Sequence, residues 1–188
     1  PAPRGEVEFD HVQFTYPAAA STTLASLVDG MVLSRQAAPV LHDLHLRTGA
    51  VVHLGVLDRG HIVHLDKLGG PSARRVPTSV GSRVAAPGVA LGVAALAGLS
   101  PEEVMAEVAH LTDWQPDAAW WAELHHARRR VAVRQGDYAE PMVSVAATIG
   151  ARAAIGIVAP DRLSAQRYQP LIASAAARVA RALAGAPD

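Results

Sequence analysis

The spacing of hydrophobic positions changes several times along the chain, and each change predicts a different element. From about residue 21 up to Gly49, apolar residues recur every three or four positions, which is typical of a helix with one buried face. The residues of that stripe are Ala37, Val40, Leu41 and Leu44. Strand-like runs at 51–57 and 61–68 follow, and the short loop between them predicts a β-hairpin.

The middle of the chain mixes extended and helical patterns. Residues 73–80 predict a further strand, and residues 89–97 predict a helix that is apolar on all sides and therefore buried. Ser100-Pro101-Glu102-Glu103 is a strong helix start, because it offers a capping hydroxyl, a first-turn proline and two acids at the positive end of the helix dipole.

The last third predicts a helix, three strands and a closing helix. The predicted bounds are 117–130, 131–134, 142–148, 152–158 and 164–183. Hairpin-linked strands with helices at both ends of the chain indicate a mostly antiparallel sheet covered by helices. The predicted fold class is therefore α+β.

Charge and composition exclude several function classes. Lys plus Arg and Asp plus Glu number 17 each, so the net charge is zero and a basic nucleic-acid-binding surface is not indicated. The chain has no cysteine, which excludes disulfides and thiolate metal sites. Apolar runs are shorter than the ~20 residues of a membrane span. We expect a cytoplasmic protein without membrane contact.

Nine histidines invite a test for a metal site. If Leu57 pairs with His61 across a three-residue loop, His53 and His64 lie on opposite faces of the hairpin. No third ligand follows His42 and His45 at a suitable spacing. The sequence therefore predicts neither a bound metal ion nor a cofactor. It also lacks the GxSxG, GxxxxGK[ST], GxGxxG and HExxH motifs, which weakens an enzymatic interpretation.

The order of these segments resembles the C-terminal domain of the IclR family of bacterial transcriptional regulators. The similar stretches are APVLHDLHLRTGAVVHLGVLDRGHIVHLDKLGG (38–70), VGSRVAAPGVALGVAALAGLSPEE (80–103), RVAVRQGDYAEPMVSVAATIG (130–150) and AAIGIVAPDRL (153–163). The resemblance covers roughly residues 21–185. The chain departs from the family pattern at Pro87, Val89, Val93, Arg130, Pro141 and Thr148.

The resemblance implies a GAF/PAS-like curved antiparallel sheet with helices packed on its faces and a small-molecule pocket on one face. It implies an effector-binding domain at residues 21–188, including a linker helix, preceded by an N-terminal appendage at residues 1–20 that is a candidate remnant of a DNA-binding wing. DNA contact would then belong to a winged-helix domain outside these residues. The other implied partners are a small organic effector and further copies of the chain, as a dimer or a tetramer.

Aligning the family's pocket positions with this sequence predicts eight effector-binding residues. They are Ala73, Val76, Ala90, Leu91, Arg134, Ser144, Gly156 and Val158. Such a pocket is mostly apolar, with the Ser144 hydroxyl and the Arg134 guanidinium as orienting groups, and a carboxylate-bearing effector is the favoured occupant. Two alternatives stay open: a small hydrolase or lyase that uses the hairpin histidines, and a purely structural dimerisation module.

Overall fold

The computed structural model describes residues 24–136 and 142–185, and side chains from residue 29 onward. Helices in this part are α1 (Leu24–Thr48), α2 (Ala90–Ala97), α3 (Pro101–Val108), α4 (Ala118–Arg129) and α5 (Arg162–Ala184). Strands are β1 (Val51–Asp58), β2 (His61–Leu68), β3 (Arg83–Ala85), β4 (Ala132–Gly136), β5 (Met142–Thr148) and β6 (Ala153–Ala159). The appendage at residues 1–20 lies outside the described residues. None of the described helices is long and apolar enough to cross a membrane.

The strands form one curled sheet in the order β3-β2-β1-β6-β5-β4. All neighbouring strands run antiparallel. Helices cover both faces, so the predicted α+β class with a curved antiparallel sheet is confirmed. The hairpin, the buried helix and the later helices and strands lie within one to two residues of their predicted bounds.

The two faces of the sheet pack against different helices, because side chains alternate along each strand. On β1, Val52 and Leu54 belong to the core shared with α1 and α5. The alternate residues Val51 and His53 face the side covered by α2 and α4. This second side carries the candidate site.

The register of the first hairpin differs from the predicted one. Asp58 pairs with His61, so the loop contains only Arg59 and Gly60, whose φ angles are 45° and 74°. Two consecutive positive φ angles are typical of a type I′ turn, which matches the twist of the flanking strands. A loop that is one residue shorter shifts the pairing by one position. Each side chain of β2 at the start of the hairpin then faces the opposite side of the sheet from the one predicted. The prediction that His53 and His64 lie on opposite faces is therefore wrong.

A β-bulge interrupts the same hairpin. Leu54 pairs with Asp66, whereas Gly55 pairs with His64, so Leu65 is an extra residue on β2. Leu65 packs against the core below α1. Asp66 turns to the same side, where it forms a hydrogen bond with Ser34 of α1.

The predicted strand at residues 73–80 is also wrong. Residues Gly70–Arg75 form a 3-10 helix, followed by an irregular segment that ends near Ser82. Lys67 explains the difference, because its Nζ donates to the carbonyl oxygens of Ala73, Val76 and Thr78 at 2.9, 2.7 and 2.6 Å. Carbonyls of a regular strand alternate in direction and would not converge on one ammonium group.

Helix α2 confirms the prediction of a buried apolar helix, since all eight of its residues are buried. Two glycines allow this helix to lie close to the backbone before it and to strand β1. A Cβ atom at Gly92 would lie 2.2 Å from the carbonyl oxygen of Ala86, and one at Gly55 would lie 2.8 Å from Leu91 Cδ2. The helix therefore sits closer to its neighbours than any larger residue at these positions permits.

Helix α3 ties together two turns at one end of the sheet. It begins with the predicted capping box of Ser100 and Glu103. The buried carboxylate of Glu107 accepts a hydrogen bond from the backbone N–H of Gly60 at 2.9 Å and forms an ion pair with Arg152. The turns that connect β1 to β2 and β5 to β6 are thus held by one side chain.

We expect the substitution Gly92→Ala to destabilise the protein by about 1–3 kcal/mol, because the added methyl group would overlap the backbone of Ala86. The gain in helix propensity, about 1 kcal/mol, is too small to reverse the sign. Urea denaturation measures the difference. Gly88→Ala is the matched control, since a Cβ atom there meets nothing within 4 Å. A G92A midpoint equal to that of the unmodified chain would contradict the close approach.

Candidate functional site

A cleft lies between the centre of the sheet and the N-terminal half of α2. It contains about 410 Å³ of space not occupied by atoms, part of which is open to solvent. Strands β1, β2, β5 and β6 contribute its floor, and α2 with the residues before it contributes the opposite wall. The lining residues are His53, His64, Thr78, Val84, Val89, Ala90, Leu91, Ser144, Val145, Ala146, Gly156, Ile157 and Val158.

Most of this lining is aliphatic, and the polar groups are few. His53 and His64 come from the two strands of the first hairpin, and Thr78 and Ser144 supply hydroxyl groups. Gly156 sits on the floor, where a Cβ atom would lie 2.9 Å from Ala146 Cβ. An apolar cleft with a few converging polar groups is the usual form of a small-molecule site.

The two histidines form a contacting pair. Their ring centroids are 5.1 Å apart and their planes are 73° apart, and both residues are buried. His53 Nε2 lies 2.8 Å from Thr78 Oγ1. His64 Nδ1 donates to the carbonyl oxygen of Ser82 at 3.2 Å. The pair is thus anchored on both sides by the irregular segment that follows the 3-10 helix.

Burial and neighbouring charges keep both rings neutral near pH 7. Burial, His64 and Lys67 together lower the pKa of His53 from 6.5 to about 3. Burial also lowers the pKa of His64; its hydrogen bond to Ser82 opposes this, and the charge of Lys67 adds to it. Neutral imidazoles can both donate and accept hydrogen bonds, so the pair adapts to either kind of polar group on a ligand.

Five of the eight predicted effector-binding residues line the cleft. Ala90 and Leu91 belong to α2, Ser144 to β5, and Gly156 and Val158 to β6. The structure therefore brings together the residues predicted on the buried helix and on two central strands.

Ala73, Val76 and Arg134 are not among the lining residues. Val76 packs behind the cleft wall in a small cluster that includes Val158, and the carbonyl groups of Ala73 and Val76 bind Lys67. Ala73 and Val76 thus hold Lys67 through their backbone and do not line the cleft.

The Arg134 guanidinium is engaged elsewhere. Its Nε and Nη2 atoms donate to the carboxylate of Glu123 at 2.7 and 2.6 Å, and Nη2 also donates to the carbonyl oxygen of Pro87 at 3.0 Å. Trp120 Nε1 reaches the same carbonyl oxygen at 3.3 Å. These contacts fasten α4 to the segment that precedes α2.

Sequence reasoning missed the histidines and Thr78 as members of one site. The available signal for His53 and His64 was Gly60, because glycine is the usual second residue of a two-residue turn, and a turn of that length places both rings on one face. Arg59 is not a typical first residue of such a turn, so the signal was weak. Thr78 had no such signal, because its position depends on the fold of residues 70–82. Within the described residues, no three His, Asp or Glu side chains converge as a metal site would require.

The buried histidines predict that stability falls on acidification. His53 is neutral in the native state and regains a pKa near 6.5 on unfolding, so the unfolded chain binds more protons between about pH 6.5 and pH 3. The free energy of unfolding should therefore decrease by up to about 1.4 kcal/mol for each pH unit below 6.5 from this residue alone. His64 acts in the same direction.

Urea denaturation at pH 7, 6 and 5 tests this dependence. His53→Gln should reduce the slope, whereas His42→Gln, on the exposed surface of α1, should leave it unchanged. A slope that is identical in H53Q and in the unmodified chain would show that His53 does not carry the effect.

Comparison with known proteins identifies the relatives of this chain. A family model described as "Bacterial transcriptional regulator IclR C-terminal" matches residues 25–184. A search of curated protein sequences gave no match.

Several solved structures share the fold. An IclR homolog from Microbacterium hydrocarbonoxydans, complexed with 4-hydroxybenzoate, has a TM-score of 0.72 and 20% identity over 84% of this chain and 70% of that one. The C-terminal domain of the E. coli transcriptional regulator KdgR has a TM-score of 0.67 and 19% identity over 80% and 98% of the two chains. The Agrobacterium tumefaciens repressor BlcR has a TM-score of 0.68 and 18% identity over 87% and 73%.

The matching family model describes a domain of transcriptional regulators, which goes against the hydrolase or lyase alternative. The resemblance inferred from the sequence is confirmed, because the family model matches residues 25–184 of the 188. This range includes all the described helices and strands, except that α1 begins one residue earlier, at Leu24. The chain belongs to the IclR family of bacterial transcriptional regulators and corresponds to their C-terminal domain.

Proposed function

We propose that this chain is the effector-sensing domain of an IclR-type regulator, and that a small organic molecule in the cleft is its signal. The observation that carries the proposal is the cleft itself: an apolar space beneath a completely buried helix, with a neutral histidine pair inside it. Polar groups that line an otherwise aliphatic cleft are typical of a binding site, because they orient a ligand.

The occupant that we propose is a small organic acid. The Microbacterium homolog was solved with 4-hydroxybenzoate, an aromatic acid with one carboxyl and one hydroxyl group. The cleft of this chain offers a comparable combination, with aliphatic walls from Val84, Val89 and Leu91 and polar groups at the histidine pair. The proposed contacts are His53, His64, Thr78, Ala90, Leu91, Ser144, Gly156 and Val158.

Effector binding would act by shifting a conformational equilibrium. A ligand that contacts both α2 and the sheet favours the arrangement in which they lie at the right separation. The favoured arrangement is then read by the DNA-binding part of the regulator, which we assign to a winged-helix domain and not to residues 25–184. Arg134 contributes indirectly in this view, since it fastens α4 to the residues that precede α2.

Thermal denaturation in the presence of a library of small acids, alcohols, amides and sugars tests the sensing function. A true effector at about 100 times its Kd should raise Tm by about 5–10 °C, because it binds only the folded state. Ser144→Leu should abolish this shift by filling the cleft. Ser174→Leu, on the exposed face of α5 across the sheet, is the control. If no compound raises Tm, the sensing role fails and the structural-module alternative is favoured.

We also propose that the domain self-associates through α1. Met31 and Leu46 are 72% and 70% exposed on this helix, although both are large apolar residues. Leu46→Glu should therefore weaken a dimer or tetramer by at least tenfold in dissociation constant, measured by sedimentation velocity. Met105→Glu, at another exposed apolar position on α3, serves as the control. Association that is unchanged in L46E would place the contact elsewhere.

A further inference from the structure

The surroundings of His64 favour one tautomer, and this limits what the ring offers to a ligand. A carbonyl oxygen only accepts, so the 3.2 Å contact between His64 Nδ1 and Ser82 O is a hydrogen bond when Nδ1 carries the proton. Ser82 Oγ lies 3.2 Å from the same nitrogen and can accept from the same N–H. The Nε2 atom of the neutral ring then carries a lone pair and acts only as an acceptor. A carboxylate, which also only accepts, has no hydrogen bond to make with it.

The nearby lysine does not supply the missing donor. An ammonium group has three N–H bonds, and those of Lys67 go to the carbonyl oxygens of Ala73, Val76 and Thr78. Lys67 therefore contributes positive charge close to the histidine pair without a remaining hydrogen-bond donor. The charge attracts an anion. The hydroxyl groups of Thr78 and Ser144 are neutral donors, so among the groups that line the cleft a charged donor has to be a protonated histidine.

We infer that the cleft binds a monocarboxylate together with one proton from solvent, which His64 holds on Nε2 in the complex. This inference rests on the proposed sensing function and names the form in which the effector is recognised. Protonation turns Nε2 into a charged donor facing a charged acceptor, which is a stronger pairing than one between neutral groups. No bond to carbon changes, and the proton returns to solvent when the acid leaves.

His64 is better placed to take the proton than His53. Its Nδ1–H bond to the Ser82 carbonyl stabilises the imidazolium. His53 contacts the Thr78 hydroxyl, a weaker acceptor than a carbonyl oxygen, and its charged form is disfavoured by burial, by His64 and by Lys67. The other described elements around the cleft contribute no competing titratable group to its lining: α2 and β6 bring apolar residues, and β5 brings Ser144. One proton site and largely aliphatic walls favour an acid with a single carboxylate.

Titration calorimetry of the whole chain tests the inference. The probes are acetate, propanoate, butanoate, pentanoate and benzoate, each paired with its neutral amide, in two buffers of different ionisation enthalpy. All measurements lie between pH 6.5 and pH 8, above the pKa of the acids. We expect the best acid to take up between about half a proton and one proton, so that its affinity rises by up to roughly tenfold per pH unit as the pH falls. The matching amide should bind at least tenfold more weakly and without proton uptake.

Two variants assign the proton. His64→Gln can still form hydrogen bonds but cannot take up a proton, so uptake should disappear and the affinity for the acid should fall at least tenfold. His42→Gln should behave like the unmodified chain. If H64Q does not fold, the ¹⁵N chemical shifts of His64 in the unmodified chain provide the second readout, because they should move to imidazolium values on saturation with the best acid.

The outcomes separate this inference from the sensing function. Acid binding without proton uptake, uptake that persists in H64Q, or tight binding of only neutral compounds overturns the inference and leaves a sensor with a different chemistry. Failure of the acids, the amides and the wider library alike overturns both.

Discussion

The position of helix α2 is the constraint on which the candidate site depends. Its eight residues are all buried, and two glycines set how near it lies to the backbone before it and to the sheet. The cleft is the remaining gap between this helix and strands β1, β2, β5 and β6. Because protein interiors are close-packed, a small displacement of such a helix changes the shape of the gap more than it changes the rest of the core. Helix α4 limits that displacement through the contacts of Arg134 and Trp120 with Pro87.

The electrostatics of the cleft arise from backbone and side chain together. The carbonyl groups of the 3-10 helix and the segment after it accept the hydrogen bonds of the Lys67 ammonium group, and the same segment supplies the partners of both histidines. Residues 70–82 thus hold the polar side chains of the site, His53, His64 and Thr78, in place, although they contain little regular structure beyond the 3-10 helix. Removing Lys67 would leave three carbonyl groups of this segment without their common donor.

Hydrophobic spacing was enough to predict the fold class and most helices and strands, because each buried face repeats with the period of its element. It was not enough for the hairpin register. The prediction assumed a loop of three residues instead of two, and this error of one residue placed His53 and His64 on opposite faces. The bulge at Leu65 has no periodic signal of its own. Arg134 shows a second limit of prediction from the sequence. The family resemblance placed it among the effector-binding residues, but its guanidinium binds Glu123, which comes from a helix whose distance to β4 no local pattern encodes.

The bulge in β2 has a consequence for how mutations in this region should be interpreted. Four successive residues serve both sides of the sheet: His64 lines the cleft and Lys67 acts on the histidine pair through its charge, while Leu65 and Asp66 contact helix α1 or the core beneath it. In a regular strand two consecutive residues point to opposite faces. The bulge instead turns Leu65 and Asp66 to the same side, so the two contacts with α1 stand directly between His64 and Lys67 in the chain. A backbone shift that accommodates a new ligand at His64 would therefore reach the seat of α1 through a single peptide bond.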